Sequence, residues 1–378
     1  MTKSILLEGG RFLSPENSIE SGPISISEGL IVDATPADAH RIECDGYLVL
    51  PGIVDVHGDA FELELHPRPG VDIAFEIAMG SVDRQLLANG ITTAFHGLTL
   101  SWEPGARSLE TGRKFMAGLK ALRPHLMADH RVQFRWETFA HDAIGDIAEW
   151  MHEEPKPSLA FNDHTTATLA MMGTADEKKL YKWAQRTGCT PQEYMKMAAA
   201  VGTRINDVPS KVKEVASLAQ QAGVVLLSHD DRTVADRQSY RKIGASVCEF
   251  PLDRSAAAEA RSAGEPVIMG GPNVIRGGSH LGMLSAEDAV TEGLCTILAS
   301  DYYYPSQLRA VQRLVHRGAQ PIETAWDLVS RNPADAMGLS DRGRIKPGYR
   351  ADLIVLDTSG PWRVVHVVAQ GTVISFGR

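Results

Sequence analysis

Residues 48–59 read LVLPGIVDVHGD. Two β-rich apolar runs meet there at a Pro-Gly turn, and the second run ends in His57-x-Asp59. Period-two spacing puts both side chains on one face of a strand, so both can reach one ion. The Pro-Gly pair ends a small sheet and delivers the chain into the first strand of a larger β/α unit.

Upstream, SILLEGGRFLSP, GPISISEGLIVDA and HRIECDGYLVLPG are short β runs broken by Gly, Pro and Asn. The C-terminus repeats that texture in GRIKPGYRADLIVLD and WRVVHVVAQGTVISFG. Neither end has enough strands for a core of its own. One small β-sandwich is therefore expected from both, residues 1–50 with 343–378. Downstream, apolar β runs ending in polar residues recur: IVDVHGD (53–59), ITTAFHG (91–97), VQFRWET (132–138), SLAFNDH (158–164), VVLLSHDD (224–231), ASVCEF (245–250), PVIMGG (266–271) and CTILASD (295–301). Stretches of helical period, such as SKVKEVASLAQQAG, separate most of them. Eight β runs alternating with helices predict a (β/α)8 TIM-type barrel over 51–342. An open doubly wound sheet is the alternative, but neither GxGxxG nor a Walker A loop is present to support it. Segment 173–223 is too long for one helix. It predicts an inserted helical pair with a start at Thr190-Pro191-Gln192-Glu193, serving equally well as a lid or as a packing appendage.

Composition narrows the function classes. The 378 residues are 43% hydrophobic and 22% charged, which excludes disordered, collagenous and coiled-coil chains. A net charge of -9 offers no global basic footprint for nucleic acid or a membrane surface. An anionic small-molecule substrate must then be held by local Arg, Lys or metal. Cys44, Cys189, Cys248 and Cys295 form no CxxC pair, which argues against a disulfide framework and for a reducing cytoplasm. The N-terminal MTKSILLEGG lacks the apolar core of a signal peptide, and no apolar stretch approaches the ~18 residues of a membrane span.

The chemistry is expected at the strand ends, which in a parallel barrel open on one face. His57 and Asp59, His96, Glu137, Asp163 and His164, His229 with Asp230 and Asp231, Glu249, and Asp301 all fall there. A lone histidine at such a place is most simply a satisfied core residue. A His, Asp or Glu at seven of the eight run ends is hard to attribute to packing, because buried charge is costly unless paired or metal-bound. Mixed N/O ligands suit zinc first, then manganese or iron, rather than calcium. The absence of cysteine from these positions argues against a closed structural zinc site. Asp301 suits a base that orients or deprotonates metal-bound water; its bland alternative is a helix N-cap. Asp230 and Asp231 are expected to hold the His229 ring. GGPNVIRGGSH (270–280) reads as a Gly-rich loop whose backbone N–H groups, with Arg276 and His280, suit a phosphate. Arg68, in HPRPG, suits the same ligand. A flexible loop and a solvated arginine are the plain alternatives. GxSxG and HExxH are both missing.

PGIVDVH, VDRQLLANGITT (82–93) and NPADAMGLSDRGRIKPGYRADLIVLD (332–357) resemble the amidohydrolase superfamily, metal-dependent barrels with a split β-sandwich. HGDAFELELHPRPGVD, LLSHDD, GGPNVIRGGSHLG and LASDYYYP are similar, over essentially the whole chain, to the diphosphatases of the carbon–phosphorus lyase pathway for phosphonate use. That resemblance implies hydrolysis of a ribose 5-triphosphate to the 5-phosphate and pyrophosphate, on one or two divalent ions. It leaves room for a homo-oligomer and for association with other enzymes of that pathway. The chain departs from the superfamily in carrying Asp59 where HxH is usual, and in lacking an evident counterpart of the bridging carboxylated lysine. The ligand set then implied is His57, Asp59 and Asp301 at one ion, Glu137 (or Asp163) as bridge, and His164 with His229 at a second. The same hydroxide chemistry on a C–N bond, in a deacylase or cyclic amidase, is the alternative activity. A non-catalytic ligand-binding member is a third reading.

Overall fold

A computed structural model describes residues 4–68, 70–278 and 284–376. Eight parallel strands pair in chain order: β1 (Ile53–Gly58), β2 (Ile91–Leu100), β3 (Asp129–Glu137), β4 (Ser158–Asn162), β5 (Val225–His229), β6 (Val247–Glu249), β7 (Val267–Gly270) and β8 (Ile297–Ala299). The ring closes just past β8, where the Asp301 N–H donates to the His57 carbonyl and the Asp59 N–H to the Asp301 carbonyl, each at 2.9 Å. The buried Asp55 carboxylate reinforces this seam by accepting from the Ser300 N–H at 2.9 Å and its hydroxyl at 2.5 Å. The expected barrel is the observed one.

Strand parity sorts the interior. Phe95, Leu227, Val247, Ile268 and Ile297 fill its lower part. Residues of the same parity further along reach the mouth: Glu137, His229, Glu249 and, past β8, Asp301. β1 needs a correction of phase, because Val54 and Val56 already point inward. A register shift between Asp55 and Gly58 supplies it and brings His57 and Asp59 to the mouth.

Both chain ends contribute sheet. Strands Leu30–Val32, Ile24–Ser27, Ile5–Glu8 and His40–Glu43 form one layer. A six-stranded layer places Leu48–Pro51 between Arg11–Leu13 and Leu353–Asp357. Leu7, Ile26, Val49, Leu353 and Val368 share one core. Below the barrel, Asp129 at the start of β3 accepts from Arg342 at 2.6 Å and from Arg350 at 3.3 Å, tying the barrel to the returning C-terminal segment.

After β4 come α1 (His164–Met171), α2 (Leu180–Thr187), α3 (Pro191–Gly202) and α4 (Val208–Ala222). α4 packs on β5, whereas α2 and α3 pack on each other and α3 on α1. The start of α3 is a capping box: Thr190 Oγ1 accepts from Glu193 N–H at 3.3 Å, and Glu193 accepts from Thr190 N–H at 2.8 Å.

The Gly-rich segment after β7 is a helix rather than the expected loop. β7 runs directly into α5 (Gly271–Arg276), which Gly277 ends at φ 79°. Close packing explains two of its glycines. A Cβ on Gly271 would stand 2.7 Å from the Ser306 hydroxyl at the start of α6 (Ser306–His316), and one on Gly270 would stand 3.3 Å from Asp301 Oδ2. No helix among the described residues is long and apolar enough to cross a membrane.

Candidate metal centre at the barrel mouth

Glu249 is the keystone of the mouth. It is fully buried, and its two oxygens take the two histidines: His57 Nδ1 at 2.9 Å and His229 Nδ1 at 2.6 Å. Two ligands of one tetrahedral ion, each bound at ~2.0–2.1 Å, lie about 3.3 Å apart. The shorter spacings here are hydrogen bonds, so Glu249 orients the rings. The rings stand 5.8 Å apart at 17°. Each Nδ1–H donates to Glu249, which turns each Nε2 lone pair to the open side. The Gln133 amide adds a third donor to Glu249 Oε1 at 2.6 Å. Burial alone would raise the Glu249 carboxyl, yet the two imidazoles hold it far below the usual range.

His57, Asp59 and Asp301 each offer a ligand atom within 4.8 Å of the others. Burial and the neighbouring Asp59 push Asp301 up to about 6. Asp301 sits at φ 57°, a left-handed backbone that costs energy in a residue with a side chain and is typical of functional sites. It caps no helix, since α6 is preceded by Pro305 at its N-cap. Two crowded acids beside an imidazole make a poor cluster alone and a good cradle for a divalent cation. Gly97 also leaves room beside Arg135, since a Cβ there would stand 3.1 Å from Arg135 Cδ. The residues present therefore fit a metal ion.

A second group, His164, His229 and Asp230, meets the same 4.8 Å limit. Asp230 Oδ1 lies 3.7 Å from His229 Nε2, and Asp230 Oδ2 lies 3.7 Å from His164 Nε2. Between the two groups stands Arg135 of β3. Its guanidinium reaches Asp59 Oδ2 at 3.3 Å and His229 Nε2 at 3.4 Å, and its buried Nε has no partner. Only 6% of Arg135 is exposed. A buried cation held by one acid, with a donor to spare, is poised for an anion.

Several sequence expectations move. Glu137 belongs to neither group. Its oxygens accept from the His164 N–H, the Thr165 N–H and the Thr165 hydroxyl, which anchors the start of α1. Asp163 is the N-cap of α1 and accepts from the Thr166 N–H at 2.9 Å. Asp231 turns away from His229 to Ser228, Cys248 and Arg237. His96 faces outward, because β2 continues to Leu100 and its parity points into the helix layer. There it bonds His130 at 2.8 Å, which in turn bonds Asp83 at 2.9 Å. Arg68 is exposed on its turn and does not line the mouth cavity, whereas Arg276 does. His280 lies outside the described residues. Asp55, Gln133 and Arg135 were not anticipated. For Gln133 and Arg135 the signal was polar character at alternate positions inside an apolar run.

The model of the Amidohydrolase family matches residues 72–374. The alpha-D-ribose 1-methylphosphonate 5-triphosphate diphosphatase of Escherichia coli (strain K12) is 30% identical over 94% of this chain and 96% of its own. The N-acetylglucosamine-6-phosphate deacetylase of Bos taurus is 22% identical over 98% of this chain and 94% of its own. An amidohydrolase from an environmental sample of the Sargasso Sea superposes with a TM-score of 0.67 at 14% identity, covering 98% of this chain and 92% of that one.

Proposed function

Because the chain belongs to the amidohydrolase family, we propose that it is a metal-dependent diphosphatase. Its substrate is alpha-D-ribose 1-methylphosphonate 5-triphosphate, which it cleaves to the 5-phosphate and pyrophosphate in phosphonate catabolism. The observation that carries this choice over C–N hydrolysis is Arg135. A buried guanidinium set between Asp59 and His229 suits a transferring phosphoryl group, whose several anionic oxygens need more neutralisation than the single oxyanion of amide hydrolysis. A relative 30% identical over 94% of this chain is named for its action on this triphosphate.

His57, Asp59 and Asp301 hold one divalent cation, and His164, His229 and Asp230 can hold another; zinc fits the mixed ligands. The cation supplies Lewis acidity, which makes water a nucleophile near neutral pH and polarises a phosphoryl oxygen. Asp301 takes the proton of the attacking water. The new P–O bond forms at the α-phosphorus, and the bond from that phosphorus to the pyrophosphate oxygen breaks. Arg135 neutralises charge on the transferring group, and Arg276, together with His280, meets the leaving pyrophosphate. Work on a pathway intermediate places the enzyme in the cytoplasm, with the other enzymes of the pathway as its natural associates.

Phosphorus NMR of the ribosyl triphosphate with the metal-loaded protein tests this. Pyrophosphate and the sugar 5-phosphate should appear together and stop on chelation. Inert triphosphate, alongside ammonia or carboxylate release from amide substrates, would overturn it in favour of the deacylase or cyclic amidase.

A further inference from the structure

Beside the metal centre, toward the ends of β2 to β4, lies a second cavity of about 160 Å³. Trp102 beyond β2, Trp183 of α2 and Tyr194 of α3 form its aromatic walls, with Thr99, Arg107 and His164 also lining it. His164 equally lines the mouth cavity that holds His57, Arg135 and Asp301. The two spaces therefore meet at a side chain of the second candidate metal group.

The lining is polar at some points and aromatic at others. Thr99 Oγ1 and Arg107 Nε are buried without a partner, a costly state unless something comes to bond them. The walls are fixed in advance. Trp102 Nε1 donates to Thr165 Oγ1 at 2.8 Å, the Tyr194 hydroxyl donates to Glu103 at 2.8 Å, and the two rings lie 5.5 Å apart. Arg107 is steadied by Glu62 at 3.3 Å. Rigid aromatic faces with a few convergent polar groups suit a small ring with an apolar face and a hydroxylated edge. A sugar has that chemistry.

We propose that this cavity is the sugar subsite, which takes the furanose ring of the substrate. The inference rests on the diphosphatase reading above. With the ring there, the 5-oxygen points to His164 and the metal centre, the α-phosphorus meets Asp301 and Arg135, and the outer phosphates extend toward Arg276. The inserted helices α2 and α3 gain a role, since they supply two of the three aromatic walls. They form a specificity wall rather than a packing appendage.

Calorimetric titration of the metal-loaded protein with ribose 5-phosphate, methyl phosphate and pyrophosphate tests the subsite directly. The wild type should bind ribose 5-phosphate about tenfold more tightly than methyl phosphate. Trp183→Ala should weaken ribose 5-phosphate about tenfold, and the near-isosteric Thr99→Val about threefold, with the other two ligands changed by less than about twofold. Should Trp183→Ala fail to fold, Thr99→Val decides the matter from inside the barrel wall. Equal affinity of the wild type for ribose 5-phosphate and methyl phosphate, or parallel losses for all three ligands, overturns the subsite. Such a result in a protein that still releases pyrophosphate overturns the subsite alone. Retained sugar selectivity in a protein that releases none supports the subsite and overturns the diphosphatase.

Discussion

Replacing Glu249 by glutamine should disable one histidine and spare the other. Glu249 Oε1 accepts from both His57 Nδ1 and the Gln133 amide, whereas Oε2 accepts from His229 Nδ1 alone. Glu249→Gln changes the volume hardly at all, but it offers one acceptor and one donor. The amide oxygen belongs at the Oε1 position, where two donors converge, so its NH2 faces His229. That ring must then carry its proton on Nε2, and the lone pair that pointed into the mouth is lost. His57 keeps its tautomer. Loss of a carboxylate that orients a ligating histidine costs about 10–100-fold in metal affinity, or about 1.4–2.7 kcal/mol. The loss should fall on the group of His164, His229 and Asp230, and leave the group of His57, Asp59 and Asp301 near its original affinity. Competition against a chromophoric chelator measures both steps, and nitrogen NMR of the imidazoles reads the His229 tautomer. A folded Glu249→Gln protein with unchanged affinity, or with its loss confined to the His57 group, would refute the clamp.

Other outcomes follow from the same geometry. Asp301→Asn should fold normally and lower kcat by about 10²-fold or more, since it removes the proton acceptor; unaltered turnover would take Asp301 out of the chemistry. Arg276→Ala should raise KM for the triphosphate more than for a monophosphate analogue, and equal effects would detach α5 from the leaving group. Three arginines hold Asp129 below the ordinary carboxylate range against the opposing effect of burial. A depressed folded pKa stabilises above the unfolded value of ~3.9 and is lost as pH falls through the folded one. Asp129→Asn should therefore cost about 3 kcal/mol at neutral pH. The gap to wild type in denaturant titrations should stay flat down to about pH 5, begin to narrow below about pH 4 and close only as the pH falls through the depressed folded value; a gap independent of pH would contradict the ion cluster.

Much of the architecture could be read from residue order, because eight apolar runs between amphipathic stretches leave few topologies open. Which side chains meet could be read only where strand parity was simple. His229 and Asp301 follow directly from the parity of Leu227 and Ala299. His57 does not, because its inward turn depends on a register shift after Asp55 that no residue announces. His96 was misplaced because ITTAFHG resembles a complete strand, although the strand runs on to Leu100 and carries His96 outward. Asp163 and Glu137 are acids of the right type whose oxygens bond the start of α1, a local role that looks identical to a ligand in sequence. The glycines of 270–278 suggest an open anion nest, whereas contact with Ser306 requires Gly271 and the approach of Asp301 leaves little room at Gly270. Arg135 was overlooked within VQFRWET, where a charge of inward parity was itself the clue.

Hydrolysis of the ribosyl triphosphate in ¹⁸O-labelled water, read by mass spectrometry of both products, probes the centre most directly. Attack at the α-phosphorus beside Asp301 and Arg135 puts one heavy oxygen in the sugar 5-phosphate and none in pyrophosphate, and the reaction stops when chelator is added. Label in the pyrophosphate, or turnover that survives removal of the divalent ions, would contradict it.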